Sequence, residues 1–351
     1  MERLVRHRLT NQKLLRTDLR DPVDIVTWLG AVQSQDFPAA KWGLAQRSNG
    51  LTTDAIDRAF NAGTILRTHV LRPTWHFVTP ADIGWMLALT APRVQQSLAH
   101  ACRQFELDAR TLSRARTILG RVLGDGEHLT RAELAAALRR GGITASGPRL
   151  GVLTVDVEIN KVMCSGALRG RHHTYARFDS RVPTTRSWTR EESLAELTRR
   201  YFASHGPATL RDFAWWSGLT MREAKEGIAL AKSTLTSERV DDLEYWMASD
   251  PKPGSDAKPR AHLLPNFDEY LIAYKDRNLV GAAHLSAQDA YTHQVVIDGR
   301  FLGTWKPTAT KDGVRLEIRL RRALTPPQKR ELQRAVVAYG EFVGKPISTN
   351  L

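Results

Sequence analysis

A chain of 351 residues, 42% hydrophobic and 25% charged, is too long for one ordinary core and has the composition of a folded multi-domain protein, not of a disordered one. Its 51 Lys and Arg against 37 Asp and Glu leave a net charge of +14, which points to a polyanionic partner and away from an acidic surface. The longest apolar stretch, around residues 83–91, is broken by Gly84 and Thr90 and falls short of the ~18 residues that span a membrane, while Cys102 and Cys164 lack the spacing of a disulfide framework or a zinc site.

The opening run MERLVRHRLTNQKLL has no apolar core followed by a cleavage site, so no secretory signal is expected and the compartment is expected to be reducing and cytoplasmic. Asp21-Pro22 predicts a helix start, continued by Ile25, Trp28, Leu29 and Val32 to about Asp36, where Pro38 disfavours helical geometry at Phe37. Short helices at 39–47 and 53–61 and strands at 65–68 and 75–78 complete a first winged helix, assigned to residues 1–100. In residues 101–190, Thr130-Arg131-Ala132-Glu133 is a capping box opening a helix through Leu138 that Gly141-Gly142 breaks. A helical pattern at Leu150, Leu153 and Val157 then leads to a basic strand-turn-strand over 167–178 around Gly170, a second winged helix. In residues 191–250, Thr209 caps a helix through Trp216, Ser217-Gly218-Leu219 turns, and Thr220 to Glu223 forms another capping box, which is the pattern of a helix-turn-helix.

Residues 250–260, DPKPGSDAKPR, read as a linker. Beyond it, residues 261–351 carry β-like runs at 263–264, 271–274, 295–297, 301–305 and 314–320 and a closing helix from Pro326 to about Gly340. The expected fold class is α+β, mainly α: three tandem winged-helix motifs plus a small C-terminal β-rich domain with a closing helix.

The charge is unevenly placed. Residues 101–190 hold 16 basic against 8 acidic side chains, whereas 191–260 hold 10 against 12. In the basic hairpin, Arg169, Arg171, His172, His173 and Arg177 are candidates to contact phosphates or enter a minor groove. Arg222 and Lys225 begin the last recognition-like helix, but in a net acidic region that reads as scaffold.

No Walker loop, dinucleotide fingerprint, GxSxG elbow or HExxH occurs. One odd polar cluster remains, Gln33-Ser34-Gln35-Asp36, at the expected end of an apolar helix. On a continuous helix Gln33 and Gln35 would stand about 200° apart, so both can address one ligand only if the helix unwinds there. A polar helix cap that bonds free carbonyls would need no chemistry at all.

The run LGAVQSQDFPAAKWGLAQR, then VLRPTWHFV, LLPNFDEYLIAYKDR and DGRFLGTWK, in that order along nearly the whole chain, resembles the AlkZ/YcaQ type of winged-helix DNA glycosylase. The resemblance implies hydrolysis of the N-glycosidic bond of N7-alkylated purines in double-stranded DNA, unhooking of interstrand crosslinks in some members, and no metal or organic cofactor. By it Gln33 and Gln35 are the catalytic pair, the later position being Asp in a second branch; Asp36 and His76 are further candidates to act in or line the site. Ser34 stands where the family usually has an apolar residue. His76 is equally readable as a packed strand histidine.

Neutral glutamines suit such a substrate. Glycoside cleavage ordinarily needs an acid to protonate the leaving group, but an N7-alkylguanine is already cationic. The enzyme need only place a water near C1′ and stabilise an oxocarbenium-like sugar, which the partial negative end of a helix would favour by roughly 0.3 to 1 kcal/mol. A nucleoid-associated monomer is expected, since no long heptad run offers a dimer seam. The alternative is a non-enzymatic winged-helix DNA-binding protein or transcription regulator.

Overall fold

Side-chain caps and left-handed residues cut the chain into its elements. The computed structural model describes residues 2–15, 17–124, 126–184, 186–249, 260–282 and 292–351. After α1 (Glu2–Asn11) comes α2 (Pro22–Leu29), which Asp21 caps by accepting the Val23 N–H at 2.8 Å and which Gly30 ends at φ +81°. The helix expected to reach Asp36 therefore stops well short of it. Val32–Gln33 is extended as β1, and Asp36 becomes the N-cap of α3 (Phe37–Ala45), accepting the Ala39 N–H at 3.2 Å. Pro38 lies in the first turn of this next helix, where its missing N–H costs nothing, and does not terminate the preceding one.

Then follow α4 (Thr53–Ala62), the antiparallel hairpin of β2 (Leu66–His69) and β3 (Trp75–Val78), and α5 (Pro80–Gln104), a long helix that carries the apolar stretch and tolerates Pro92 inside it. The middle of the chain holds α6 (Ala109–Val122), β4 (Leu129–Thr130), α7 (Arg131–Arg140), α8 (Gly147–Ile159), β5 (Met163–Ser165), β6 (Thr174–Arg177) and the one-turn α9 (Phe178–Arg181). Next are α10 (Arg190–Ser204), α11 (Leu210–Ser217), α12 (Met221–Ala231) and the hairpin of β7 (Leu235–Val240) and β8 (Leu243–Ala248). The last part comprises β9 (Ala261–Leu264), α13 (Glu269–Ile272), β10 (Gln294–Ile297), β11 (Arg300–Ala309), β12 (Val314–Leu320), α14 (Pro326–Val343) and β13 (Ile347–Thr349). The fold is α+β and mainly helical. None of the described helices is long and apolar enough to cross a membrane.

The chain forms two compact units: Met1–Ile56 with Thr198–Trp216 and Ala231–Leu351, and Asp57–Leu197 with Ser217–Leu230. In the first, a five-stranded sheet runs in the order β13-β12-β11-β10-β9, antiparallel except for β13, which pairs parallel to β12. Val314, Leu316 and Ile318 turn inward, as their alternation predicts. The closing helix α14 lies against β9, β13 and α3, and Trp42 and Trp305 both meet Tyr339 edge-on at 5.1 Å. On another face α1 buries Leu4, Val5 and Leu9 among Leu264, Tyr270, Val296 and Phe301. One expectation is overturned in this unit. The run 271–274 belongs to a helical turn, because Asp268 caps α13 by accepting the Tyr270 N–H at 2.9 Å, and a short apolar run does not by itself distinguish strand from helix. The strand β13 carries no sequence signal. Of the linker expected at 250–260, all but Arg260 lies outside the described residues.

In the second unit, α6, α7 and α8 enclose Leu119, Leu134, Leu138, Leu150, Leu153 and Val157, and the sheet β4-β6-β5 follows. Helix, strand, two helices and a hairpin is the order of a winged helix. The capping box of α7 forms as read: Thr130 Oγ1 accepts the Glu133 N–H at 3.3 Å, and Glu133 takes the Thr130 N–H at 2.6 Å. Arg181 closes the C-terminus of α4, donating to the carbonyls of Phe60 and Asn61 at 2.8 and 2.9 Å. Gly63 is required beside it, since φ is +81° and a Cβ would stand 2.9 Å from the guanidinium carbon.

Candidate active site

Gly30 releases the chain from α2 so that residues 32–36 run extended, then bend, and finally cap α3. Only Val32 and Gln33 keep strand geometry and the chain bends at residues 35–36, so the 200° separation that a continuous helix would impose on Gln33 and Gln35 does not apply. Gln33 is only 7% exposed and Ser34 is fully buried, whereas Gln35 is exposed and Asp36 half-buried. Ser34 thus occupies the interior position that its apolar counterpart would fill.

The segment is held from beneath by a loop more than 200 residues further along the chain. The Gln33 backbone N–H donates to Glu269 Oε1 at 2.7 Å, and the Trp216 indole N–H donates to Glu269 Oε2 at 2.9 Å. His205 Nε2 lies 3.4 Å from the same oxygen, its pKa lowered by burial against the opposing pull of Glu269. At the other end of the segment, Asn266 Nδ2 donates to Asp36 Oδ2 at 3.1 Å, and the Asn266 N–H in turn donates to His293 Nδ1 at 3.0 Å.

Glu269 reaches this place because the loop is itself anchored. Arg47 forms a two-pronged, fully buried pair with Asp268, both bonds 2.8 Å, and also donates to Gln12 Oε1 at 2.8 Å. Between Asn266 and Asp268, Phe267 takes φ +58°, an uncommon conformation for a residue with a Cβ, and so reverses the chain at this point.

A cleft of about 450 Å3 opens beside Asp36, its walls including Trp42, His293, Trp305, Tyr339 and Phe342. Burial and then the Asp36 carboxylate raise the Tyr339 phenol to about 12, so it stays a neutral hydroxyl. Burial lowers the His293 pKa, against the pull of Asp36, and keeps the ring an acceptor for Asn266.

Of the other candidates, His76 lies in the second unit, buried on β3 with Nδ1 donating to the Thr74 carbonyl at 2.9 Å. The basic hairpin exists, with its first strand earlier than expected, at β5. Its tip is a tight reversal in which Arg169 and His172 exchange two backbone bonds of 3.0 and 3.1 Å across Gly170, at φ +62°. Arg171, His172 and Arg177 are exposed, while His173 is half-buried edge-on to Phe60. Arg169 is engaged by Glu133, Nη1 to Oε1 at 2.8 Å; bonds to the Thr130 backbone and then to Arg169 pull the Glu133 carboxyl down to about 2.

A family model described as "DNA glycosylase AlkZ-like" matches residues 26–342. The chain belongs to the AlkZ-like DNA glycosylase family. It is 24% identical over 304 residues to an "Interstrand DNA cross-link repair glycosylase" of Streptomyces sahachiroi, covering 81% of each chain. Its fold is that of the S. sahachiroi DNA glycosylase AlkZ, with a TM-score of 0.79 at 20% identity over 99% of this chain and 98% of that one.

In this AlkZ-like glycosylase the glutamines follow the end of α2 and are not part of it. Because α2 ends at Gly30, Gln33 and Gln35 do not stand on its last turn, and the Gln33 N–H faces the buried carboxyl group of Glu269. Glu269, Asn266, Asp268 and Arg47 carry no role in a reading of the sequence alone. The signal available for the first three is the run PNFDE, an adjacent acidic pair flanked by aromatic residues, between a proline and an apolar run.

Proposed function

We propose that Gln33 and Gln35 are the catalytic pair of a monofunctional glycosylase that hydrolyses the N-glycosidic bond of N7-alkylated purines in duplex DNA. What supports this reading is a Gln33 whose backbone is fastened to a buried carboxylate, followed two residues later by an exposed Gln35. The amide oxygens orient a water toward C1′ as the cationic base departs, and no acid is needed for a leaving group that already carries charge. Water is the nucleophile, so the strand keeps an abasic site. The relative named for crosslink repair extends the proposed substrates to interstrand crosslinks. Arg169, Arg171, His172, His173 and Arg177 hold the duplex, and the enzyme acts as a cytoplasmic, nucleoid-associated monomer.

Release of free base from DNA carrying N7-methylguanine tests the proposal. Gln35→Ala should slow excision by roughly 10² to 10³, and Gln33→Ala as much or slightly less, with duplex affinity unchanged. Gln35→Asp should keep part of the activity, because a carboxylate can also orient water. Wild-type excision rates in both Ala variants would remove the two glutamines from catalysis and leave either Asp36 acting alone or no chemistry in the segment.

A further inference from the structure

We infer that Glu269 and Asn266 are positioning residues that fix the two ends of the Gln33–Asp36 segment for the reaction; the inference rests on the catalytic reading of that segment. Three observations carry it. The Glu269 carboxylate is 1% exposed and spends one oxygen on the Gln33 N–H, the other on the Trp216 indole. Asn266 grips Asp36, the residue at which the segment becomes a helix cap. Both grips come from one loop, turned by the left-handed Phe267 and locked by the Arg47–Asp268 pair. Backbone held in such an uncommon conformation persists only where the surroundings enforce it.

The chemistry requires this precision. Orienting a water against C1′ depends on placing amide oxygens to a fraction of an ångström, and a displacement of about 1 Å costs on the order of 10² in rate. The segment is too short to place itself, since β1 spans two residues and the chain bends soon after it.

Glu269→Gln is the informative variant because it keeps the shape and removes one acceptor. A glutamine has a single carbonyl oxygen, so one of the two donors, Gln33 N–H or Trp216 N–H, must face an NH2 group. Asn266→Ala is the second variant, at a half-buried position where folding is less at risk. Excision of N7-methylguanine, duplex affinity and backbone hydrogen exchange over residues 32–36 are measured on the full chain. Both variants should lose roughly 10- to 100-fold in kcat with Kd for the duplex unchanged, and the Gln33 N–H should exchange at least about 10-fold faster in Glu269→Gln. Retention of kcat within about twofold in both overturns the inference, whether or not exchange rises. A loss of kcat in these variants while Gln33→Ala and Gln35→Ala remain fully active leaves the positioning role intact, directed at Asp36 or the backbone, and removes the glutamines from catalysis.

Discussion

Replacing Arg171 and Arg177 by Ala should reduce the salt dependence of duplex binding by a predictable amount. Each phosphate left without its cation lowers the slope of log K against log salt by about 0.9, so two such phosphates lower it by about 1.8. Between 50 and 200 mM salt the ratio of wild-type to variant affinity should then shrink about 12-fold, with the largest difference at low salt. Both side chains project from the hairpin, Arg171 at its tip and Arg177 at the end of β6. Arg169 is tied more closely than Arg177, whose Nη2 lies 3.8 Å from Asp179 Oδ2, because it bonds Glu133 at 2.8 Å and must leave that partner to reach a phosphate. Adding Arg169→Ala should therefore change the slope by at most one further phosphate, and Glu133→Gln should strengthen binding at low salt by removing the negative charge beside Arg169, which keeps its bond to the His128 carbonyl. Fluorescence anisotropy of a labelled duplex over a salt series measures all four proteins. Parallel lines for wild type and the double variant would take the hairpin out of the DNA interface.

His262, on β9, has its pKa pushed down to about 4 by burial and by Arg47, so it is neutral when folded but takes a proton near 6.5 when unfolded. Stability it contributes is present above pH 6.5 and lost as pH falls toward 4, amounting to about 2 kcal/mol between pH 7 and 5; urea unfolding at the two pH values should show this loss, and an undiminished loss in His262→Gln would assign it elsewhere. Arg47→Met should cost about 3 to 5 kcal/mol by leaving Asp268 buried without its two-pronged partner, and Arg47→Met combined with Asp268→Leu should recover only part of it, since the α13 cap on the Tyr270 N–H is then lost; equal denaturant midpoints for the single variant and wild type would mean the pair anchors nothing.

Local chemistry determined much of this protein from its sequence. The caps at Asp21 and Thr130, the alternation of Val314, Leu316 and Ile318, and the glycine at the hairpin tip each act within a few residues, and each reads correctly. The family that the four ordered motifs resemble is the one whose model matches residues 26–342. Where two local rules compete, at Gly30 and Pro38, the sequence leaves the helix end ambiguous, because a proline can either stop one helix or start the next, and here it starts one. The surroundings of the glutamines lie beyond any local rule. Gln33 and Glu269 are 236 residues apart, and Arg47 and Asp268 are 221. A buried carboxylate is tolerated only where folding has already assembled its donors, so its place is a property of the packed interior and not of the residues beside it in the chain.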